Sequence, residues 1–593
     1  MNRKMRRATS PSRKSRSASR SADFDPIFFN NFLNHGWQLL TEGRDQEALE
    51  IAARAIRLQE TDESKAFFVQ CAKRWSYFPG AEELRDVLVR ALREPWAKAN
   101  DLIGTIRGLL DHDPVIGPAI RRASDAWPRR LPLPDLLDKH KISTISGDPL
   151  VLALLESSKF FGMELERLFT SIRAGLLSMA MHDDDQADKT AVRLSCAIAQ
   201  QCFINEYVFD LTEIELDRVY HLCNKISDAI ATKAKVSPLV LAIVAAYQSL
   251  DSLPGNEFLL KQSWPRSLED LLNQQIRERA AERRHRDSIT RITSINNVTS
   301  VRVQEQYEDN PYPRWFNLPA PTPAMPVDDV MQRDYPFSNY RKNGKTTGFD
   351  VLIAGCGTGY HSILFAQSLP GAKLLAIDLS LSSLRYAKQK THAMGLNNIE
   401  YAQGDILELG SLARTFDVIS SSGVLHHLAD PEQGWRTLLP LLRPDGCMHI
   451  GLYSESAHRH LIAAKTWLRT RGYNSSREDI RRARQDLSAA AAHEAAFSDI
   501  LKYPDFYTMS ECRDLLFHSQ EQSFTIPRIQ AFLDKNKMQF LGFQVDVDVR
   551  DQFAKRFSLQ READLSLWHQ FETENPDTFK GMYQFVVQKS LTS

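Results

Sequence analysis

Apolar positions along the first half of the chain recur at helical spacing, from Phe24 to about His285. The stretch NNFLNHGWQLLTEGRDQEALEIAARAIRLQ holds two amphipathic segments. Small residues (Gly36, Gly43, Ala48 and Ala55) stand where the helices of a hairpin would approach each other. A second helical pair is predicted from Lys65 to Leu92, broken at Pro79-Gly80. Further helices are predicted at 150–161, 165–179, 190–209 and 239–250, without a constant period. From Phe349 the pattern changes. Val351 to Ala354 form a short apolar run of buried-strand type, glycines follow, and HSILFAQSL is helix-like. Leu374 to Asp378 reads as the next strand. Strands alternating with helices predict an α/β domain with a mostly parallel sheet.

A chain of 593 residues exceeds a single core, so two or more domains are expected. Its 74 basic and 74 acidic side chains cancel, leaving no global field toward nucleic acid or anionic membrane. The seven cysteines are scattered without a C-x-x-C pair, which points to reduced thiols in a cytoplasmic setting and to no metal site. The longest apolar run is too short to span a bilayer. Residues 1–23 are rich in Arg, Lys and Ser, and read as a disordered basic tail, a nucleic-acid or acidic-partner arm and a transit peptide being the alternatives. Residues 286–345 read as a linker. Its proline-rich part, NPYPRWFNLPAPTPAMP, excludes a helix interior or a central strand.

The chemistry concentrates in FDVLIAGCGTGY, 349–360. Gly355, Gly357 and Gly359 sit between a strand and a helix, where they permit a tight turn and close approach of backbone to a ligand. Asp378 ends the following strand, placed to accept hydrogen bonds from ribose hydroxyls. Dinucleotide sites favour G-x-G-x-x-G, whereas Tyr360 occupies that last position here.

The G-x-G-x-G loop resembles motif I of class I S-adenosylmethionine-dependent methyltransferases. Other segments resemble the same family in order: NIEYAQGDI (398–406) its third strand, FDVISSSGVLHHLADP (416–431) its fourth strand and loop, and LLRPDGCMHIGLYS (441–454) its fifth. MQFLGFQVDVDV (538–549) and MYQFVVQKS (582–590) resemble the last two strands. The resemblance implies a doubly wound, seven-stranded Rossmann-like sheet over 346–593, the seventh strand antiparallel between the fifth and sixth. It also implies S-adenosylmethionine as cofactor, held by Gly355, Cys356, Gly357, Thr358, Gly359, Asp378, Leu379, Gly404, Asp405, Ile406 and Ser422. Asp405 matches the acid that lies near the adenine amino group. One departure stands out: relatives carry an acid two residues before the first glycine, where this chain has Ile353. The first helical pair resembles a tetratricopeptide repeat, a helix-turn-helix unit of about 34 residues. With YEDNPYPRW (307–315), the whole resembles bacterial methyltransferases that carry such repeats.

For the acceptor side, His426, His427 and Tyr453 are the catalytic candidates, with Asp430 as a further acid. A histidine in this place serves as a general base or as a packed structural residue. His361 lies beside the glycine loop. Glu455 to Lys537 interrupt the core for far longer than an ordinary connection. Helices are predicted there at 458–471, 476–500 and 510–519, as a lid or as a layer over the sheet edge. Tyr503, Phe506, Tyr507, Phe517, His518 and Glu521 are its pocket candidates. Tyr307, Tyr312, Arg314 or Trp315 is expected to close the site. The expected function is methyl transfer to an unidentified acceptor of small-molecule type. The alternatives are a protein methyltransferase that recruits its substrate through an all-α repeat-like domain at 24–285, or a cofactor-binding scaffold. No N-P-P-Y or D-P-P-Y follows the fourth strand, which disfavours a nucleic-acid base as acceptor.

Overall fold

The computed structural model of the protein describes residues 26–590, apart from 76–80, 95, 98–100, 138, 158, 160–161, 183–187, 285–287, 310, 313, 316–317, 319–320, 322 and 519. The basic tail and the Pro79-Gly80 break lie outside the described residues. Two compact units divide the chain, one up to residue 78 and one from residue 79. No helix among the described residues is long and apolar enough to cross a membrane.

The first unit contains helices Pro26–Thr41, Asp45–Leu58 and Asp62–Arg74. Gly36 is where the first helix touches the other two. A Cβ there would lie 2.5 Å from Phe67 and 2.9 Å from Ile51. Ala48 and Ala55 are fully buried, as expected of a close pair. Gly43 instead supplies the turn, with φ +75° and nothing near its missing Cβ.

The second unit opens with helices, among them Pro149–Ser157, Met163–Ala180, Lys189–Ile204, Glu213–Thr232 and Pro238–Ala245. Lys189–Ile204 ends before the predicted limit, because Glu206 and Tyr207 adopt left-handed backbone with φ 58° and 61°. Such a pair costs about 1–2 kcal/mol per residue and stops a helix.

The sheet has eight strands: β1 Thr290–Arg291, β2 Asp350–Ala354, β3 Lys373–Asp378, β4 Ile399–Gln403, β5 Phe416–Ser422, β6 Leu442–Tyr453, β7 Met538–Phe543 and β8 Met582–Lys589. Their order is β1-β4-β3-β2-β5-β6-β8-β7. β8 pairs antiparallel with both β6 and β7, and all other pairings are parallel. This is the doubly wound plan with one strand added at the edge. Side chains alternate between two cores, as strand geometry requires. Val351, Ile353, Leu374 and Ala376 face one core. Leu352, Ala354, Leu375 and Ile377 face the other.

Several expectations are corrected. Residues 286–345 are more than a linker, since they contain β1 and helices Val298–Asp309 and Val327–Asp334. Pro444 and Gly446 lie inside β6, beside a register shift against β5, rather than in a turn. The strand expected at 538–549 stops at Phe543, and Val547–Phe557 is helical. Helix Ile526–Lys535 packs Ile526, Ile529, Phe532 and Leu533 into the core below the sheet, so the inserted helices end before it.

The insertion comprises helices Arg459–Thr470, Arg477–Ala490, Ala495–Ser498 and Met509–Phe517. It docks on the helical region through Arg484, which is fully buried. Its guanidinium donates to Glu166 Oε1 and Oε2 at 3.0 and 2.6 Å, to Phe506 O at 2.6 Å and to Val208 O at 3.1 Å. Arg481 donates to Tyr207 O at 2.7 Å, and the amide of Met509 donates to Asn205 O at 3.2 Å. Arg477 and Ser510 donate to Glu206 as well, so five insertion residues hold the strained 205–208 turn.

Between β2 and helix Tyr360–Ser368 the chain turns through three left-handed glycines, Gly355, Gly357 and Gly359. Gly355 has φ +82°, and a Cβ there would lie 2.3 Å from Val424 Cγ2. Gly355→Ala is therefore expected to lower stability by about 1–3 kcal/mol in urea unfolding. Val424→Ala in that background recovers the contact part and leaves the backbone part. A double variant no better than the single one refutes the contact. Glu166→Ala strands a buried guanidinium and is expected to cost about 3–5 kcal/mol. A loss below about 1 kcal/mol rules the pair out as the joint of the insertion.

Candidate active site

The carboxyl ends of β2–β6 and the start of β8 surround a cavity of about 270 Å³. It lies beside β2 and β5, where the strand order reverses and open α/β sheets bind ligands. Gly355, Cys356, Gly357 and Thr358 form one wall, and Asp378, Leu379, Gly404, Asp405, Ile406 and Ser422 continue it. Gly359 lies beneath as the N-cap of the following helix. A Cβ on it would meet Ala387 at 2.6 Å and the Tyr401 hydroxyl at 2.9 Å.

Asp378 holds the loop that it stands beside. Its Oδ2 accepts the Gly357 N–H at 2.7 Å and its Oδ1 accepts the Ser380 N–H at 2.9 Å. Burial pushes its carboxyl up, and these backbone donors pull the other way. Asp405 differs. Its Oδ1 caps the turn at Leu407 N at 3.0 Å, while Oδ2 is buried with no hydrogen-bond partner. An unpaired carboxylate oxygen in a cavity wall calls for a ligand donor. Together with the glycine cradle, this fits a nucleoside: Asp378 for ribose hydroxyls, Asp405 for an adenine amino group. Ile353 is a core residue outside this wall, which is why an apolar side chain stands there.

The roof comes from residues before β2. Ser300, Val303, Tyr307 and Tyr312 line the cavity, and the first two carry no signal in the sequence. The Tyr307 carbonyl accepts the Ser380 hydroxyl at 3.0 Å. Glu308 caps helix Leu381–Ala393 by accepting the Leu381 N–H at 2.6 Å. Trp315 Nε1 donates to Thr358 O at 3.0 Å, so it clamps the glycine loop from outside. Arg314 lies 3.6 Å from Glu206 and does not line the cavity.

At the far end the cavity meets His427, Leu428, Tyr453, Met582 and Gln584, the last two missed by sequence because they belong to the antiparallel strand. His361 also lines it. His427 Nδ1 is 3.2 Å from Gln520 O, so it carries the proton and leaves Nε2 as a lone pair. His426 is turned away. It is fully buried, stacks on Tyr453 at 3.7 Å, and is pushed far below the usual histidine range by burial and by neighbouring His427. Asp430 is committed as the cap of helix Pro431–Leu438.

The insertion brings His518 against His427, with ring centroids 3.9 Å apart, and Asp514 beside both. Glu521 ion-pairs with Lys465 at 2.7 Å and faces His458 at 3.8 Å. Phe506 and Tyr507 lie against Arg484 instead of the cavity, and the Tyr503 hydroxyl reaches Ala457 O at 3.5 Å. Nitrogens of His427 and His518 and an oxygen of Asp514 lie within 4.8 Å of one another, the spacing of a metal triad. The donor set does not fit one. His518 Nδ1 accepts the Gln520 N–H at 3.0 Å, so its Nε2 bears a proton and offers no lone pair.

Residues 345–496 match the family model described as "Methyltransferase domain". The trans-aconitate 2-methyltransferase of Deinococcus radiodurans is 34% identical over 116 residues, 19% of this chain and 42% of its own. The ubiquinone biosynthesis O-methyltransferase of Leptothrix cholodnii is 30% identical over 122 residues, 20% of this chain and 51% of its own. The chain thus spans about half the length of the curated relatives it matches. Among solved structures, PKMT2 from Rickettsia typhi covers 46% of this chain and 55% of its own, at 16% identity and a TM-score of 0.36. The C-terminal part of this chain therefore contains a methyltransferase domain, matched over residues 345–496, on a doubly wound α/β sheet.

Proposed function

We propose that this protein transfers a methyl group from S-adenosylmethionine to a hydroxyl oxygen of a small-molecule acceptor, with His427 as the base. The observation that carries the reading is the His427 ring. Its Nδ1–H is fixed by the Gln520 carbonyl, which leaves the lone pair on Nε2, and the residue lines the same cavity as Asp378 and Asp405. S-adenosylmethionine, when bound, supplies a methyl group activated by a sulfonium, whose S–C bond breaks as the methyl leaves and whose sulfur keeps the electron pair as the thioether S-adenosylhomocysteine. The chain aligns the two reactants, excludes water and removes one proton. Asp378 and Asp405 hold the nucleoside. Tyr307 and Tyr312 cover it, and His427 takes the acceptor's proton as the new C–O bond forms.

The printed names of two relatives, an O-methyltransferase and a methyltransferase of trans-aconitate, support a small acceptor. The insertion acts as the lid of the acceptor side, and the helical region at 81–284 is its seat. Recruitment of a protein through the helical region is the second reading, favoured by Leu216 and Tyr220. These are one helical turn apart and 50% and 70% exposed. Seven free thiols support a reducing, cytoplasmic setting.

Calorimetric titration of S-adenosylmethionine tests the cofactor half. Binding near micromolar, about −8 kcal/mol, is expected for the wild type and for His427→Asn, and loss is expected for Asp378→Ala. No binding to the wild type overturns the reading. Cell extract incubated with labelled donor tests the rest. Label is expected in the small-molecule fraction with wild type and not with His427→Asn. Label confined to protein establishes the second reading instead.

A further inference from the structure

Asp514 sits on the inserted helix Met509–Phe517 with a relative exposure of only 2%. Its Oδ1 accepts the Tyr307 hydroxyl at 2.6 Å and lies 3.8 Å from His518 Nε2. That Nε2 is buried and has no hydrogen-bond partner. Burial pushes the Asp514 carboxyl up, and its close donors are the neutral phenols of Tyr307 and Tyr453, so its charge is costly unless a positive charge stands near it. On the cavity wall, His427 has a ring nitrogen within 4.8 Å of an Asp514 oxygen.

Every titratable group packed around His427 bears on this. From its own loop comes His426, and from β6 comes Tyr453. Burial keeps the first neutral and holds the second protonated. From the roof comes Tyr307, whose hydroxyl is committed to Asp514. From the insertion come His518 and Glu521, with Lys465 and His458 behind them. Burial and the neighbouring His427 push His518 down to about 2, so the ring stacked on His427 stays neutral. Glu521 is neutralised by Lys465 at 2.7 Å. Glu521 also feels His427, but among the described residues Asp514 is the carboxylate beside His427 with no lysine or arginine paired to it.

We propose that Asp514 is the positioning residue that stabilises the imidazolium formed when His427 takes the acceptor's proton. The base is then a two-part device: the imidazole comes from the loop after β5 and its counter-ion from the insertion. Atoms balance simply. The proton leaves the acceptor oxygen for His427 Nε2, the carboxylate stays ionised, and the proton passes to solvent after the product leaves. The inference rests on the reading of His427 as base.

The test uses the full chain labelled with [13Cε1]histidine and follows each imidazole by NMR across pH, the His427 signal being the one lost in His427→Asn. Asp514→Asn keeps the shape and an oxygen for Tyr307. It is expected to lower the pKa of His427 by more than one unit, a loss of more than tenfold in proton affinity. Glu521→Gln is expected to leave it in place. Retained binding of S-adenosylmethionine shows that each variant is folded. If Asp514→Asn fails to fold, Asp514→Glu is expected to keep the pKa within half a unit, and a fall of more than one unit counts against the inference. An unchanged pKa in Asp514→Asn, or a shift only in Glu521→Gln, overturns it. A wild-type His427 signal that moves on adding EDTA overturns it too, since the cluster would then be a metal triad. Methyl transfer that survives in His427→Asn sinks the reading of His427 as base whatever the titration gives, whereas an unchanged titration sinks only the role of Asp514.

Discussion

The buried guanidinium of Arg484 is the joint on which the composite site depends. It is fully enclosed, and its donors are satisfied by one carboxylate and two backbone carbonyls from different parts of the chain. A charge in such a place is tolerable only when its hydrogen bonds are complete. Completing them requires helix Met163–Ala180, the strained turn at 205–208 and the insertion to meet in one arrangement. That arrangement sets down helix Met509–Phe517, and with it Asp514 and His518, at the far end of the cavity. The helical region thus shapes the far end of the cavity through the insertion.

The two halves of the cavity are built on different principles. The cofactor half is local to the sheet edge. A glycine turn, an acid at the tip of β3 and an acid after β4 are each placed by the strand that precedes them, and Asp378 locks the turn through backbone N–H groups. Its weakest element by size is β1, yet that strand steadies Asp405, whose amide donates to Thr293 just beyond it at 2.7 Å. The far half is assembled from the β5 loop, β6, β8, the roof helix and the insertion. Aromatic and imidazole rings stack there with little charge, so the charges that remain are few and each has a definite partner.

The glycine loop, the alternating core faces of β2 and β3, and the acids at 378 and 405 were legible because the signal lies within a few residues. Strand, turn and helix N-terminus follow each other, and each carries its own pattern. The same locality explains the misses. β1 is two residues long and has no period to read. Helices Val298–Asp309 and Val327–Asp334 flank a proline-rich stretch whose composition speaks only for itself. His426 and His427 are indistinguishable as letters, and the backbone of one short turn puts one ring on the cavity wall and the other in the core.

By itself, then, the sequence determined the doubly wound sheet, most of its strands, and the glycine loop and acids that line the cavity, since hydrophobic period and turn chemistry are properties of neighbouring residues. The tertiary structure alone decided the far end of the cavity. Glu166 and Arg484 are 318 positions apart, Tyr307 and Asp514 are 207 apart, and neither pairing leaves a trace in local pattern. Burial made those choices. A charge removed from water must find its partner wherever the packed chain has brought one, and that distance is measured in space rather than along the sequence.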